Sequence, residues 1–296
     1  MKKPNFFIIG FPKCSTTTIA KKLSYHPEIL MPKSPEKFEP EFFCDDINEN
    51  KQLINVDDYL RYWDDDFTKY KAVGEKSIKY ILSKNAIDNI LNFNENAKFI
   101  ISIRNPVDLC LSLHSHMLRI GIEKHKNFEK AWMEQESRVK LYKNQKKYSD
   151  KFFLQYANIA KIGEKIECLL KKVDHSKVFF VFFDDIKNNE QKVFYEIFDF
   201  LNVSDYQISD ANKYNQNSVP RSKVVLSLLN YIVKLKKSFN INSNFHVLNF
   251  LFNLNTIKSE RLNIDDDLRN KLKLFFKKDI VLIESLTKKN LSDWYQ

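Results

Sequence analysis

Strands alternating with helices, each strand nearly all apolar, predict an α/β protein: a parallel sheet flanked by helices on both faces, with a helical C-terminal extension. Three observations carry that expectation. The runs FFII at 6–9, KFIISI at 98–103 and KVFFVFF at 177–183 are continuous apolar strands rather than half-polar alternations. Helical patterns separate them, and beyond residue 202 the strands give out while helical patterns continue. Composition suits an ordered globular chain, with 25 Phe and 13 Tyr against 4 Gly. Residues 1–296 are therefore read as a single domain, its core over about 1–203 and its helical extension over about 204–296.

The first strand exits at Gly10 into a short loop holding Pro12 and Lys13. The hydroxyl cluster Ser15-Thr16-Thr17-Thr18 then opens a helix over 16–25, which stops before Pro27. Residues 29–32 read as a brief extended piece. Segment 33–55 is a loop with two prolines, five acidic residues between 36 and 46, and the pair Phe42-Phe43. Irregular segments of that length inside a compact domain are usually functional. A short helix with an acidic start is expected at 56–63, a strand at 71–76 and a helix at 84–93. Strand 98–103 ends on Arg104-Asn105-Pro106, and a helix follows to 119. Further helices are expected at 127–142 and 149–173, the second with Ser149 as N-cap. Strand 177–183 stops at Asp184-Asp185, ahead of an amphipathic helix at 190–201. In the extension, 219–239 and 265–286 read as helices on either side of an Asn-rich stretch.

A net charge of +10 and a pI near 9.1 suit an anionic ligand, and no nucleic-acid partner is expected. The four cysteines are scattered without a C-x-x-C pair, which reads as reduced thiols in a cytoplasmic protein. MKKPNFFIIGF mimics a signal peptide, but its apolar run is short and Lys13 stands where a cleavage site would be needed. No stretch approaches the ~18 apolar residues of a membrane span.

Residues 5–18, NFFIIGFPKCSTTT, join a strand, a glycine turn, a lysine and a hydroxyl-lined helix start. The unpaired N–H groups of a helix's first turn carry a partial positive charge, so this is a site for a phosphate-like anion. It differs from G-x-x-x-x-G-K-[ST], where lysine adjoins the hydroxyl: Lys13 stands two residues before the cluster, with Gly10 alone. Anion binding without Mg²⁺ is expected, and an ordinary strand-to-helix turn with a solvated lysine is the alternative. A second constellation is Arg104-Asn105-Pro106-x-Asp108-x-x-x-Ser112. A guanidinium offers a planar fork of donors and a serine hydroxyl can complete the cradle. The two constellations together suit a ligand with two separated phosphate-type groups; a salt bridge from Arg104 to Asp108 is the competing reading. His114 and His116 are read as structural or surface residues on different sides of their helix, the thiols as small packing residues, and no clustered metal-ligand set is found.

GFPKCSTTTIAKKLSYHP resembles the 5′-phosphosulfate loop of sulfotransferases that use 3′-phosphoadenosine 5′-phosphosulfate (PAPS). ISIRNPVDLCLS resembles their 3′-phosphate motif, with arginine and serine eight positions apart. Gly74-Glu75-Lys76-Ser77 is similar to the family's E-K-S/T, and VFFVFFDDIKNNEQKVFYEIFDFLNV to its strand, acidic turn and helix. Leu291-Ser292-Asp293-Trp294 is similar to the C-terminal close of bacterial members and of the glycan (heparan-type) branch. The resemblance spans essentially the whole chain and implies a P-loop-like sheet, PAPS as donor, no metal, and transfer to an acceptor hydroxyl, that of a carbohydrate. It implies that Lys13 stabilises charge on the bridging oxygen as the sulfuryl group leaves. The loop Lys13, Cys14, Ser15, Thr16, Thr17 and Thr18 would hold the 5′ end, Arg104 and Ser112 the 3′-phosphate, and Lys76 would sit near the transferring group.

In the glycan branch a K-E-x-x-F-F segment carries the general base. Here it reads Lys37-Phe38-Glu39-Pro40-Glu41-Phe42-Phe43, which puts Glu39 on the base position, Phe38 in place of lysine, and Glu41 as a rival. Arg221 could reach the donor or the acceptor. Ser15 stands where the family has glycine, and the loop is expected to avoid a left-handed conformation there and to retain PAPS binding. A P-loop nucleotide kinase or ATPase, and a non-catalytic anion or glycan binder, are the alternative functions.

Overall fold

The apolar run after Asn5 forms strand β1 (Phe6–Gly10), buried along its whole length at the centre of a five-stranded sheet. The structure, a computed structural model, describes residues 3–32, 39–47, 55–63, 65–142, 150–208, 218–222, 225, 228–229, 232, 251, 254, 256–258 and 263–296. Strand β1 lies between β3 (Ala72–Lys76) and β4 (Lys98–Ile103), with β2 (Ile29–Leu30) and β5 (Val178–Phe182) on the edges, and every pairing is parallel. All-parallel sheets need cover on both faces, which is why these strands lack polar alternation.

The pleat divides each apolar run between two cores. Phe6 and Ile8 of β1 pack with Ile100 and Val181 under helices α1 (Thr16–Leu23) and α8 (Phe183–Leu201). Phe7 and Ile9 pack with Phe99 and Ile101 into a larger core. Helices α3 (Ala86–Phe93), α4 (Pro106–Arg119), α7 (Ile162–Leu170) and α9 (Asp266–Thr287) cover that second face. Two shorter helices, α2 (Val56–Leu60) and α6 (Tyr156–Ala160), and the longer α5 (Phe128–Tyr142), complete the layers.

Three departures from the sequence expectations have physical causes. The helix expected over 149–173 is a 3₁₀ turn (Asp150–Leu154), α6 and α7; Ser149 lies outside the described residues. It breaks because the buried Asp279 of α9 accepts the Gly163 and Glu164 N–H groups at 3.0 and 3.2 Å, which starts a new helix there. Helix α8 begins at Phe183 rather than 190, with non-helical backbone at Asn189, whose side chain accepts the Lys192 N–H at 3.1 Å and restarts it. Finally, strands do not end at 202: β6 (Ser218–Pro220) pairs antiparallel with β7 (Thr256–Lys258), so residues 219 and 220 belong to a strand rather than to the expected helix.

Candidate active site

The loop from β1 into α1 is held at its carbonyls. Arg104, just past the end of β4, donates to the Lys13 carbonyl at 3.2 Å, and the Ser102 hydroxyl donates to that of Cys14. Lys13 has φ 63° and Ser15 has φ 66°, ψ 13°, on either side of Cys14. The expectation that Ser15 avoids the left-handed region is therefore wrong. A serine there costs about 1 kcal/mol or more, and the captured carbonyls impose the turn despite that cost. In return, left-handed residues within a helix-leading loop build a concavity of N–H groups that favours an anion. Ser15 is also the N-cap position of α1, and its carbonyl accepts the Ile19 N–H at 3.0 Å.

The charges around this loop match the geometry. Burial, with Arg119 and Arg104 adding repulsion, pushes Lys13 down to about 8. Three like charges gathered around one N–H cradle fit a multiply charged anion. Burial pushes the Cys14 thiol up to about 12, so it stays a neutral packing group. Thr16 is buried, while Thr17 and Thr18 are half-buried on the first turn. Ser112 is half-buried two turns into α4, whose start is capped by Asn105 accepting the Val107 N–H at 2.9 Å, with Pro106 at the first position. Asp108 faces Arg269 at 3.6 Å, and the Arg104 guanidinium lies 4.5 Å from the Phe183 ring centre.

Two further residues belong here: His116, which the sequence led us to expect as a structural or surface residue, and Arg119, which it did not single out. His116 accepts from Arg119 at 3.0 Å through Nδ1, and burial together with Lys13 and Arg119 pushes it down to about 3. It stands by Lys13 as a neutral acceptor that steadies Arg119, whereas His114 is fully buried beside Phe128 and Tyr156. The signal was the spacing: Ser112, His116 and Arg119 lie four and three apart, on one helical face.

On the other side of the cradle, Lys76 at the end of β3 is almost fully buried. It donates to the Thr17 hydroxyl at 3.3 Å and forms an ion pair with Glu39. Glu39 is thereby tied to the anion loop. Lys37 and Phe38 lie outside the described residues. Glu41, with φ 51°, pairs instead with Lys79 at 2.8 Å. Phe42 stacks on Tyr59 at 4.8 Å, and Phe43 inserts between Phe7, Tyr59 and Tyr80. The Phe-Phe pair thus anchors the acidic segment in the core. Beneath it Glu75 is fully buried; burial pushes it up to about 7, opposed by hydroxyl donors from Ser77, Tyr59 and Tyr80. Arg221 is exposed just past β6, which packs against α4.

Among the described residues no group of three His, Cys, Asp or Glu could hold a metal ion, and no helix is long and apolar enough to cross a membrane. The arrangement can hold a polyanion between Lys13, Arg104, Arg119 and the loop N–H groups, with the Glu39 carboxylate joined to that loop through Lys76.

Comparisons with known proteins identify the family. The family model described as "Sulfotransferase domain" matches residues 3–239. Over the full length of both chains, the structure is similar to that of a sulfotransferase from Alicyclobacillus acidocaldarius, with a TM-score of 0.73 and 23% identity. A weaker likeness, with a TM-score of 0.42 and 16% identity, is to the sulfotransferase domain of the Synechococcus PCC 7002 olefin synthase, covering 69% of this chain and 74% of that one. No curated protein matches the sequence. With a family match over most of its length on a sheet whose strand ends converge on one anion cradle, the chain belongs to the sulfotransferase family.

Proposed function

We propose that this sulfotransferase moves the sulfuryl group of PAPS to an acceptor hydroxyl of a carbohydrate, with Glu39 as general base. The observation that carries the reading is Lys76, which bridges the Thr17 hydroxyl of the anion loop and the Glu39 carboxylate. It gives the base candidate a fixed place beside the donor cradle, whereas Glu41 turns toward Lys79.

The donor residues fit PAPS: the Lys13–Thr18 loop for the phosphosulfate end, Arg104 and Ser112 for the 3′-phosphate. When bound, PAPS supplies an activated sulfuryl group, and transfer needs position and fixed positive charge more than covalent help. Lys13 supplies charge where the leaving oxygen becomes negative. Lys76 neutralises both the transferring end and Glu39 until the acceptor hydroxyl takes its place. Glu39 then accepts the hydroxyl proton, a contribution of about 10²–10⁴-fold. Basic net charge and the anchored Glu39–Phe43 segment support a glycan acceptor, and four free thiols support a cytoplasmic location.

Substitution Glu39→Gln tests this. With labelled PAPS and a panel of glycans and phenols, turnover should drop by about 10²–10⁴-fold. Calorimetry with adenosine 3′,5′-bisphosphate should show donor affinity nearly unchanged. Full turnover by Glu39→Gln together with loss in Glu41→Gln would move the base to Glu41. ATP·Mg²⁺ binding in place of the bisphosphate would replace the reading altogether.

A further inference from the structure

The carboxyl of Glu75 is fully buried directly behind the base segment, and no step of the proposed transfer uses it. Three hydroxyls converge on it: Tyr59 at 2.8 Å and Tyr80 at 2.9 Å on Oε1, and Ser77 at 2.8 Å on Oε2. Two of those hydroxyls also accept backbone N–H groups from the segment that carries the acidic side chains. Ser77 Oγ accepts from Glu41 at 3.1 Å, and Tyr80 Oη from Phe43 at 3.5 Å. Each hydroxyl therefore passes one hydrogen bond through itself: amide to hydroxyl oxygen, hydroxyl hydrogen to carboxylate. Such chains strengthen one another in a dry interior, and they lose their direction if the terminal acceptor goes.

We propose that Glu75 is a positioning residue, which through Ser77 and Tyr80 fixes the backbone of residues 41–43 and so holds Glu39 opposite the anion cradle. The inference rests on the reading of Glu39 as base. Its physical core is the match between one carboxylate and two relayed amides. In its ionised form Glu75 has no donor of its own, so it orients all three hydroxyl hydrogens toward itself and leaves their lone pairs for the segment. The strand contributes as well: Lys76, next along β3, grips Glu39 from the same edge. The aromatic anchors Phe42 and Phe43 set the segment's depth, and the Glu75 relay sets its rotation.

Glutamine at position 75 keeps an acceptor for the two tyrosines but turns a donor on Ser77, whose hydrogen then has no partner. The experiment measures amide hydrogen exchange and transfer kinetics in wild type, Glu75→Gln, Ser77→Ala and Tyr80→Phe. Ser77→Ala should lower the protection of the Glu41 amide alone, Tyr80→Phe that of Phe43 alone, and Glu75→Gln that of Glu41 with Phe43 little changed, each loss being about tenfold or more. In Glu75→Gln the acceptor-side kcat/KM should fall about 10–100-fold, while the affinity for adenosine 3′,5′-bisphosphate stays within about twofold of wild type. Unchanged protection of the Glu41 amide in Glu75→Gln would overturn the proposal, as would equal losses on the donor and acceptor sides. The exchange readout decides the positioning whether or not transfer is detected. Absence of wild-type transfer to any hydroxyl would instead sink the assignment of the base.

Discussion

Lys13 is the side chain whose charge state the fold disturbs most usefully. Burial and two neighbouring arginines bring it to about 8, so in the free protein it loses its proton near that pH. A bound bisphosphate favours the ammonium and raises the value. Affinity for adenosine 3′,5′-bisphosphate should therefore be full below pH 8 and weaken as pH rises through about 8. Calorimetry in buffers of different ionisation enthalpy should detect proton uptake on binding in that range, and Lys13→Met should abolish it. Arg104 acts differently, through a fork that reaches the Lys13 carbonyl while stacked on Phe183. We expect Arg104→Ala to weaken bisphosphate binding by roughly 10–100-fold, and Arg104→Lys to recover little, because lysine has neither the fork nor the planar face. Most of these side chains are legible in the sequence, since lysine, hydroxyls and arginine stand at strand ends. The left-handed Ser15 is not. Its conformation is imposed through carbonyls caught by Arg104 and Ser102, about ninety residues away.

At the scale of elements, the same division holds between what is local and what is borrowed. Continuous apolar runs and the Asn105-Pro106 start mark β1, β4, β5 and α4 from their own residues, and the structure agrees. The start of α7 has no such signal, because its cap is supplied by Asp279 from another helix, 116 residues along the chain. Nor do three-residue strands such as β6 and β7 carry a period long enough to read. The borrowed cap gives a direct test. Both Asp279 oxygens are occupied by the Gly163 and Glu164 N–H groups, and the residue is only 8% exposed. Asp279→Ala leaves a buried donor at Gly163 and a part-buried one at Glu164 without acceptors and should cost about 1–3 kcal/mol in urea unfolding. Asp279→Asn keeps one acceptor oxygen and should cost less.

For the molecule as a whole, the question is whether the C-terminal part unfolds with the sheet. Helix α9 shares its core: Leu272, Phe276, Ile280 and Ile283 lie in the same buried cluster as Phe7, Phe99 and Ile101. The chain then doubles back onto the sheet edge. Lys289 pairs with Asp185 and sits 4.6 Å from the Phe182 ring, and Trp294 packs 6.2 Å from that ring. Phe182 ends β5, and the next residue, Phe183, is the platform under Arg104. The C-terminal close thus supports the strand end on which the anion site leans, so a loss there should be felt across the core. Trp294→Ala should cost about 3–5 kcal/mol. In thermal unfolding, far-ultraviolet circular dichroism and the fluorescence of Trp63 and Trp132 should report one shared midpoint, in the variant as in the wild type. If the change instead produced a separate early transition, with the sheet melting at its original temperature, the C-terminal part would be an independent unit. The single domain expected from the sequence would then have to be divided.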